Sequence, residues 1–219
     1  MKYIRESKED AFKFAAEKIK ESIDKLQAKD NIVIALPGGR NVAGILQNLR
    51  TMDIDWNKIH IFMVDERLVP LGHKDSNFLI TQKELAEHVS IPKENLHPFD
   101  MEKGIRKYER ELEEIQDYFD IVLLSSGEDG HIGALYPNHP SAKDQADFFI
   151  TIDDSPKPPA ERMTSARRLL IRSKYAILMF IGNEKRAALA AFDDRLKSFK
   201  NCPAKMVKEI QNNFVIVAK

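Results

Sequence analysis

Gly127-Glu128-Asp129-Gly130-His131 places a carboxylate and an imidazole two residues apart among closely spaced glycines, Gly133 included. An ordinary histidine, with a pKa of about 6.5, can take a proton from water near neutral pH. A carboxylate beside it can fix the tautomer and steady the imidazolium. In an extended stretch Asp129 and His131 share a face. The alternative is a glycine-rich turn with a capping Asp and an incidental His. Pro37-Gly38-Gly39-Arg40 lies between an apolar run and a helical pattern. Glycines there let backbone N–H groups approach an anion, and Arg40 adds a cation, so the segment reads as a phosphate cradle or as a bare turn. Asp65-Glu66-Arg67 supplies a cation for a carboxylate, phosphate or developing oxyanion, with Asp65 to orient it. Arg162, just after a proline cluster, and Lys185, just after Gly182, are further candidate phosphate ligands in a basic stretch that otherwise reads as a solvated face.

These segments need positioning, and the apolar pattern supplies it. Ile32–Leu36, Ile59–Val64, Phe119–Leu124, Phe148–Ile152, Tyr175–Ile181 and Phe214–Val217 read as strands. Helical patterns separate most of them. An opening amphipathic helix uses Ile4, Ala11, Phe12, Ala15, Ile19, Ile23 and Leu26. Val42–Leu49 is a second. Ser76 caps a third, reaching about His88. The charged stretch Met101–Tyr118 reads as a solvated surface helix, and Ser165–Arg172 as another. Asn183 caps a helix to about Lys197, and Pro203 opens a last one. Strands apolar on both faces, alternating with helices, predict a doubly wound, mostly parallel α/β sheet with helices on both faces, a Rossmann-like three-layer sandwich. Ligands of such sheets bind beyond the carboxyl ends of the strands. Pro37 to Arg40, Asp65 to Arg67, Ser125 to His131 and Gly182 to Lys185 all fall there.

Composition narrows the function classes. The chain has 219 residues, enough for a core without staples, and no composition break marks a linker, so residues 1–219 read as one domain. Lys plus Arg number 34 and Asp plus Glu 34, leaving no global charge for nucleic acid or an anionic membrane. The single cysteine, Cys202, excludes an internal disulfide or multi-cysteine metal site and reads as structural. No histidine pair has metal spacing. His60 reads as a packed or surface strand residue, His73, His88 and His97 as loop or helix-surface residues, and His139 as a candidate pocket wall. No dinucleotide or Walker motif and no nucleophile elbow is present. The longest apolar run is strand length, and the charged N-terminus is no secretory signal. A cytoplasmic protein is expected.

Taken together, the motifs resemble the 6-phosphogluconolactonase family, within the larger group that includes glucosamine-6-phosphate deaminase. Phe119–Leu124, Gly127 to His131 and Ala134-Leu135-Tyr136-Pro137 are similar to the family's GEDGH…LFP signature. Trp56, Asp65-Glu66-Arg67-Leu68-Val69-Pro70 and Ser76-Asn77 resemble its W…DER.VP…SN block. Pro159, Arg162-Met163-Thr164 and Gly182…Lys185 resemble further elements, in the same order. The resemblance implies hydrolysis of 6-phosphoglucono-1,5-lactone in the pentose phosphate pathway, with no metal or organic cofactor. It implies His131 as the base, Asp129 as its orienter, and Arg67 beside the sugar ring or developing charge. Gly38, Gly39, Arg40, Asp65, Asn77, Arg162 and Lys185 are the implied substrate and phosphate ligands. A small-molecule sugar phosphate is then the partner, with neither nucleic acid nor membrane, and a monomer or weak homodimer is expected. Arg40 stands where the family has Ser, Ser125 where it has Gly, and Ile132-Gly133-Ala134 where it has Thr-Ala-Ser. The deaminase branch is the alternative. It places a Glu where Tyr136 stands and a Tyr where Arg67 stands, although Ile132 leans towards it. A sugar-phosphate-binding protein without catalysis is the other.

Overall fold

A computed structural model describes residues 2–219. In chain order its strands are β1 (Lys2–Ile4), β2 (Ile32–Leu36), β3 (Ile59–Met63), β4 (Asp65–Arg67), β5 (Leu96–His97), β6 (Ile121–Ser125), β7 (Phe149–Ile152), β8 (Arg162–Ser165), β9 (Tyr175–Ile181) and β10 (Asn212–Ala218). The helices are α1 (Lys8–Asp24), α2 (Arg40–Leu49), α3 (Asn77–Glu84), α4 (Ile105–Glu113), α5 (Arg167–Ile171) and α6 (Arg186–Asp193). Seven strands form a parallel sheet in the order β1-β10-β9-β6-β2-β3-β5.

The central strands are buried on both sides, and alternate residues feed two cores. Ile32, Ile34 and Leu36 of β2, with Ile121 and Leu123 of β6, face α1 and α2. Val33, Ala35, Val122 and Leu124 face the other layer, where Tyr108 and Leu112 of α4, Leu169 and Leu170 of α5, and Phe192 of α6 pack. The expected layering is present, with helices on both faces.

Several elements differ from the sequence reading. Ile4 is not helical: it lies in β1 at the sheet edge, 78% exposed. The helix starts after Ser7, whose Oγ accepts from the Asp10 N–H. Ser76 caps α3 as expected, accepting from Leu79 N. The charged stretch expected as a solvated helix over 101–118 is helical only from Ile105 to Glu113, and its Tyr108 and Leu112 are buried. Asn183 does not cap a long helix; residues Asn183–Lys185 form one 3-10 turn before α6. Pro203 opens a 3-10 segment, Pro203–Glu209. His97 is a half-buried strand residue stacked on Phe62 at 4.1 Å between ring centres, not a surface loop residue.

A second sheet, β4-β8-β7, is antiparallel and pairs Arg67 with Arg162 in register. Strand β7 is the apolar run expected at 148–152, whereas β4 and β8 are polar and carry little apolar alternation. They are fixed by tertiary bonds: Ser165 donates N–H and Oγ–H to the Val64 carbonyl, and Thr164 Oγ1 accepts from Ala134 N. Those bonds attach it to the end of β3 and to the loop that follows β6. Among the described residues no helix is long and apolar enough to cross a membrane.

Candidate active site

Strands β9, β6, β2 and β3 are neighbours, so their carboxyl ends open side by side. The chain leaves β2 for β3 on one side, while β6 lies on the other, making this the switch point of the sheet. A cavity of about 590 Å³ sits there, walled by the turns after these strands, the start of α3, and the loop between β7 and β8.

His131 lies in this cavity. The segment after β6 is a tight turn rather than the extended stretch expected: Gly127 N donates to the His131 carbonyl and Gly130 N to Gly127. The turn itself brings the pair together. Asp129 Oδ1 accepts from His131 N at 3.1 Å and is 2.6 Å from His131 Nδ1. Burial raises the Asp129 carboxyl, but its hydrogen bonds from His131 and the imidazole's charge outweigh that and hold it well below the usual carboxylate range. An ionised Asp129 only accepts, so Nδ1 carries a proton, and in the neutral ring the lone pair is then on Nε2. A side chain at Gly127 would overlap the His131 ring. Tyr136 packs against that ring with centroids 4.9 Å apart.

Asp65, Arg67, Asn77 and Arg162 also converge on the cavity. Their organiser is Glu66, which the sequence reading left without a role. Its buried carboxylate accepts from Arg67 N, Asn77 N, Phe78 N and Ser76 Oγ, pinning α3 to β4. Burial nevertheless raises its pKa. Burial also raises Asp65, against the opposing charges of Arg67, Arg162 and His131 and the Asn77 hydrogen bond. Arg67 Nη1 donates to the Asp75 carbonyl, while its buried Nε has no partner; the Asn77 Oδ1 acceptor is likewise buried and unpartnered. Arg162, 5% exposed, donates to the carbonyls of Lys157, Pro158 and Pro159 and sits 4.0 Å from Asp65 Oδ2. Much of its hydrogen-bonding capacity therefore holds the proline-rich loop.

Gly38, Gly39, Arg40 and Lys185 form the cationic end. A Cβ on Gly38 would fall inside the Asn77 amide, so β2 and α3 close against each other only with glycine there. Asn41 Nδ2 donates to the Ile181 carbonyl, tying the start of α2 to the end of β9. Burial lowers the Lys185 pKa, with Glu184 and Glu128 acting the other way. Sequence reasoning missed Lys8, Lys157 and Glu184, which also line this cavity. Lys8 belongs to α1, remote in sequence, and no local pattern marks it. His139 does not line the cavity; it packs edge-on to Tyr136 and lies 3.1 Å from Asp154. Cys202 is buried against Gly130. Among the described residues no cluster of three or more His, Cys, Asp or Glu side chains could hold a metal ion.

The arrangement can activate water at His131, bind polar groups on the Asp65–Asn77 wall, and hold an anion at Arg40 and Lys185. The family model for glucosamine-6-phosphate isomerases/6-phosphogluconolactonase matches residues 6–216. A 6-phosphogluconolactonase of Thermotoga maritima is 36% identical over 177 residues, spanning 78% of this chain and 80% of its own. One of Mycobacterium leprae is 32% identical over 181 residues, spanning 75% and 73%. The crystal structure of a Thermotoga maritima 6-phosphogluconolactonase superposes with a TM-score of 0.87 at 31% identity, covering 100% of this chain and 99% of that one. A monomeric glucosamine-6-phosphate deaminase shares the fold, with a TM-score of 0.82 at 20% identity, covering 100% and 97%. The chain belongs to the glucosamine-6-phosphate isomerase/6-phosphogluconolactonase family.

Proposed function

We propose that this protein is a single-domain cytoplasmic enzyme that hydrolyses 6-phospho-D-glucono-1,5-lactone to 6-phospho-D-gluconate in the pentose phosphate pathway. The observation that carries this reading is the Asp129–His131 pair opening on a cavity that Arg40, Lys185 and further cations also line.

His131 Nε2 takes a proton from water, and the water oxygen attacks the lactone carbonyl carbon. The carbonyl oxygen becomes an oxyanion, and the Arg67 guanidinium on the cavity wall stabilises it. Collapse of the tetrahedral centre breaks the bond to the ring oxygen, which takes the proton back from the His131 imidazolium. The new carboxylic acid then loses its proton to solvent. Asp129 holds the imidazole throughout. Asp65 and Asn77 meet the sugar hydroxyls. Gly38, Gly39, Arg40 and Lys185 hold the phosphate, with Arg162 contributing charge from beneath. Held away from the reacting carbon, the phosphate supplies binding energy that orients it.

Tyr136 favours hydrolysis over deamination. It stands where the deaminase branch carries the carboxylate supporting its ring-opening histidine, and a buried phenol cannot do that work. The deciding assay offers freshly made lactone, coupled to oxidation of 6-phosphogluconate, beside glucosamine 6-phosphate monitored for ammonia. The reading predicts acceleration of lactone hydrolysis over background. Ammonia release without lactone hydrolysis would replace it with the deaminase reaction.

A further inference from the structure

Glu184 is the one acidic side chain at the cationic end of the cavity, where it shares the wall with Lys8, Arg40 and Lys185. It precedes α6 within the 3-10 turn Asn183–Lys185. Its carboxylate folds back over Gly182, so closely that a Cβ on Gly182 would overlap both oxygens. The dipole of its own backbone N–H, then Lys185, Lys8 and Arg40, hold its carboxyl below the ordinary range. Yet no ion pair within 4.0 Å ties it to any of those cations among the described residues. A carboxylate that oriented a lysine would be bonded to it. This one instead lies on the cavity wall beside those cations without being tied to any of them.

We propose that Glu184 competes with the ligand's phosphate for this end of the cavity and so sets how tightly phosphorylated ligands are held. The proposal rests on the phosphate placement given above. The chemistry supplies a reason for such a group. Hydrolysis turns an uncharged lactone into a carboxylate, so the product carries one more negative charge than the substrate. A pocket in which Lys8, Arg40, Arg67, Lys157, Arg162 and Lys185 outnumber Asp65 holds that product harder than the substrate. Glu184 lowers the attraction for both and speeds release.

The test is Glu184→Gln, which keeps shape and removes charge from an exposed side chain. KM for the phosphorylated lactone falls about 3–10-fold, as for loss of one partly screened like charge. Inhibition constants for 6-phosphogluconate and inorganic phosphate fall by a similar factor. The gain for unphosphorylated glucono-1,5-lactone is at least about threefold smaller, since the lost repulsion acts on phosphate. Glu184→Ala gives the same shifts. Unchanged or raised constants in both variants, or an equal gain with the unphosphorylated lactone, overturn the proposal. Lys185→Ala is measured in parallel: if it leaves KM for the phosphorylated lactone unchanged, the phosphate placement itself is wrong, a failure separate from that of Glu184.

Discussion

At the scale of single residues, the account turns on one imidazole and its carboxylate. Asp129 is held far below the ordinary carboxylate range and stays ionised from about pH 5 to 8. It therefore adds no titration of its own to the rate in that window. Asp129→Asn removes the charge that steadies the imidazolium, and kcat falls on the order of 10²–10⁴-fold; a steady-state assay near neutral pH that finds wild-type kcat would remove Asp129 from the mechanism. Arg162 makes a different prediction from that of an exposed phosphate ligand. It is buried, holds three loop carbonyls, and faces Asp65. Arg162→Ala leaves those groups unpaired and lowers stability by about 3 kcal/mol, in addition to raising KM. Urea unfolding checks this; an unchanged midpoint would make Arg162 a ligand and nothing more. These two residues differ in how readable they were. Asp129 and His131 stood out because two functional groups lay two positions apart beside glycines. The commitment of Arg162 to the 157–159 carbonyls depends on a loop path that no spacing encodes.

Elements decide whether such residues meet. The glycine turn after β6 does so by close approach, since the His131 ring lies where a Gly127 side chain would be. Gly127→Ala displaces the imidazole and lowers kcat at least about tenfold with a smaller effect on KM, because the loss falls on the chemical step rather than on substrate binding. Initial rates over the full substrate range separate the two constants, and equal kcat in the variant would show that the ring tolerates the shift. The β5 edge makes a pH prediction. Burial, then His60 and Lys107, lower the His97 pKa to about 4, despite a Glu111 carboxylate 3.5 Å away. The unfolded chain takes a proton on this imidazole near the ordinary value of about 6.5, before the folded protein does. Its contribution is thus full above about pH 6.5 and is lost as pH falls towards about 4, by on the order of 3 kcal/mol. His97→Gln flattens that limb of the stability profile, whatever it does at neutral pH; a slope like that of the wild type would assign the acid sensitivity elsewhere. Strands β2 and β9 were legible to the residue, because β-branched runs bounded by glycine or proline have one reading. Strands β4 and β8 were not. Asp-Glu-Arg and Arg-Met-Thr-Ser are polar, and their pairing is fixed by bonds to Val64 and Ala134 from other parts of the chain. The edge strand β1 was read as helix because Ile4 falls at helical spacing from α1, and only its pairing with β10 reveals it.

Across the whole molecule, one geometric rule does most of the positioning. Four adjacent parallel strands end on the same side, and each hands its following turn to one cavity. That much followed from apolar strands alternating with helices, which is why nearly every suspected residue converges there. What did not follow was the second sheet and the far wall it builds, or the arrival of Lys8 from α1 and Lys157 from the β7–β8 loop. The central claim is that this cavity hydrolyses a phosphorylated sugar lactone through His131. Its most direct test compares the protein with His131→Ala on fresh 6-phosphogluconolactone, with spontaneous hydrolysis subtracted and binding of 6-phosphogluconate measured on both. In His131→Ala kcat falls about 10²–10⁴-fold with product binding and thermal stability retained. A variant that hydrolyses the lactone at the wild-type rate would contradict it.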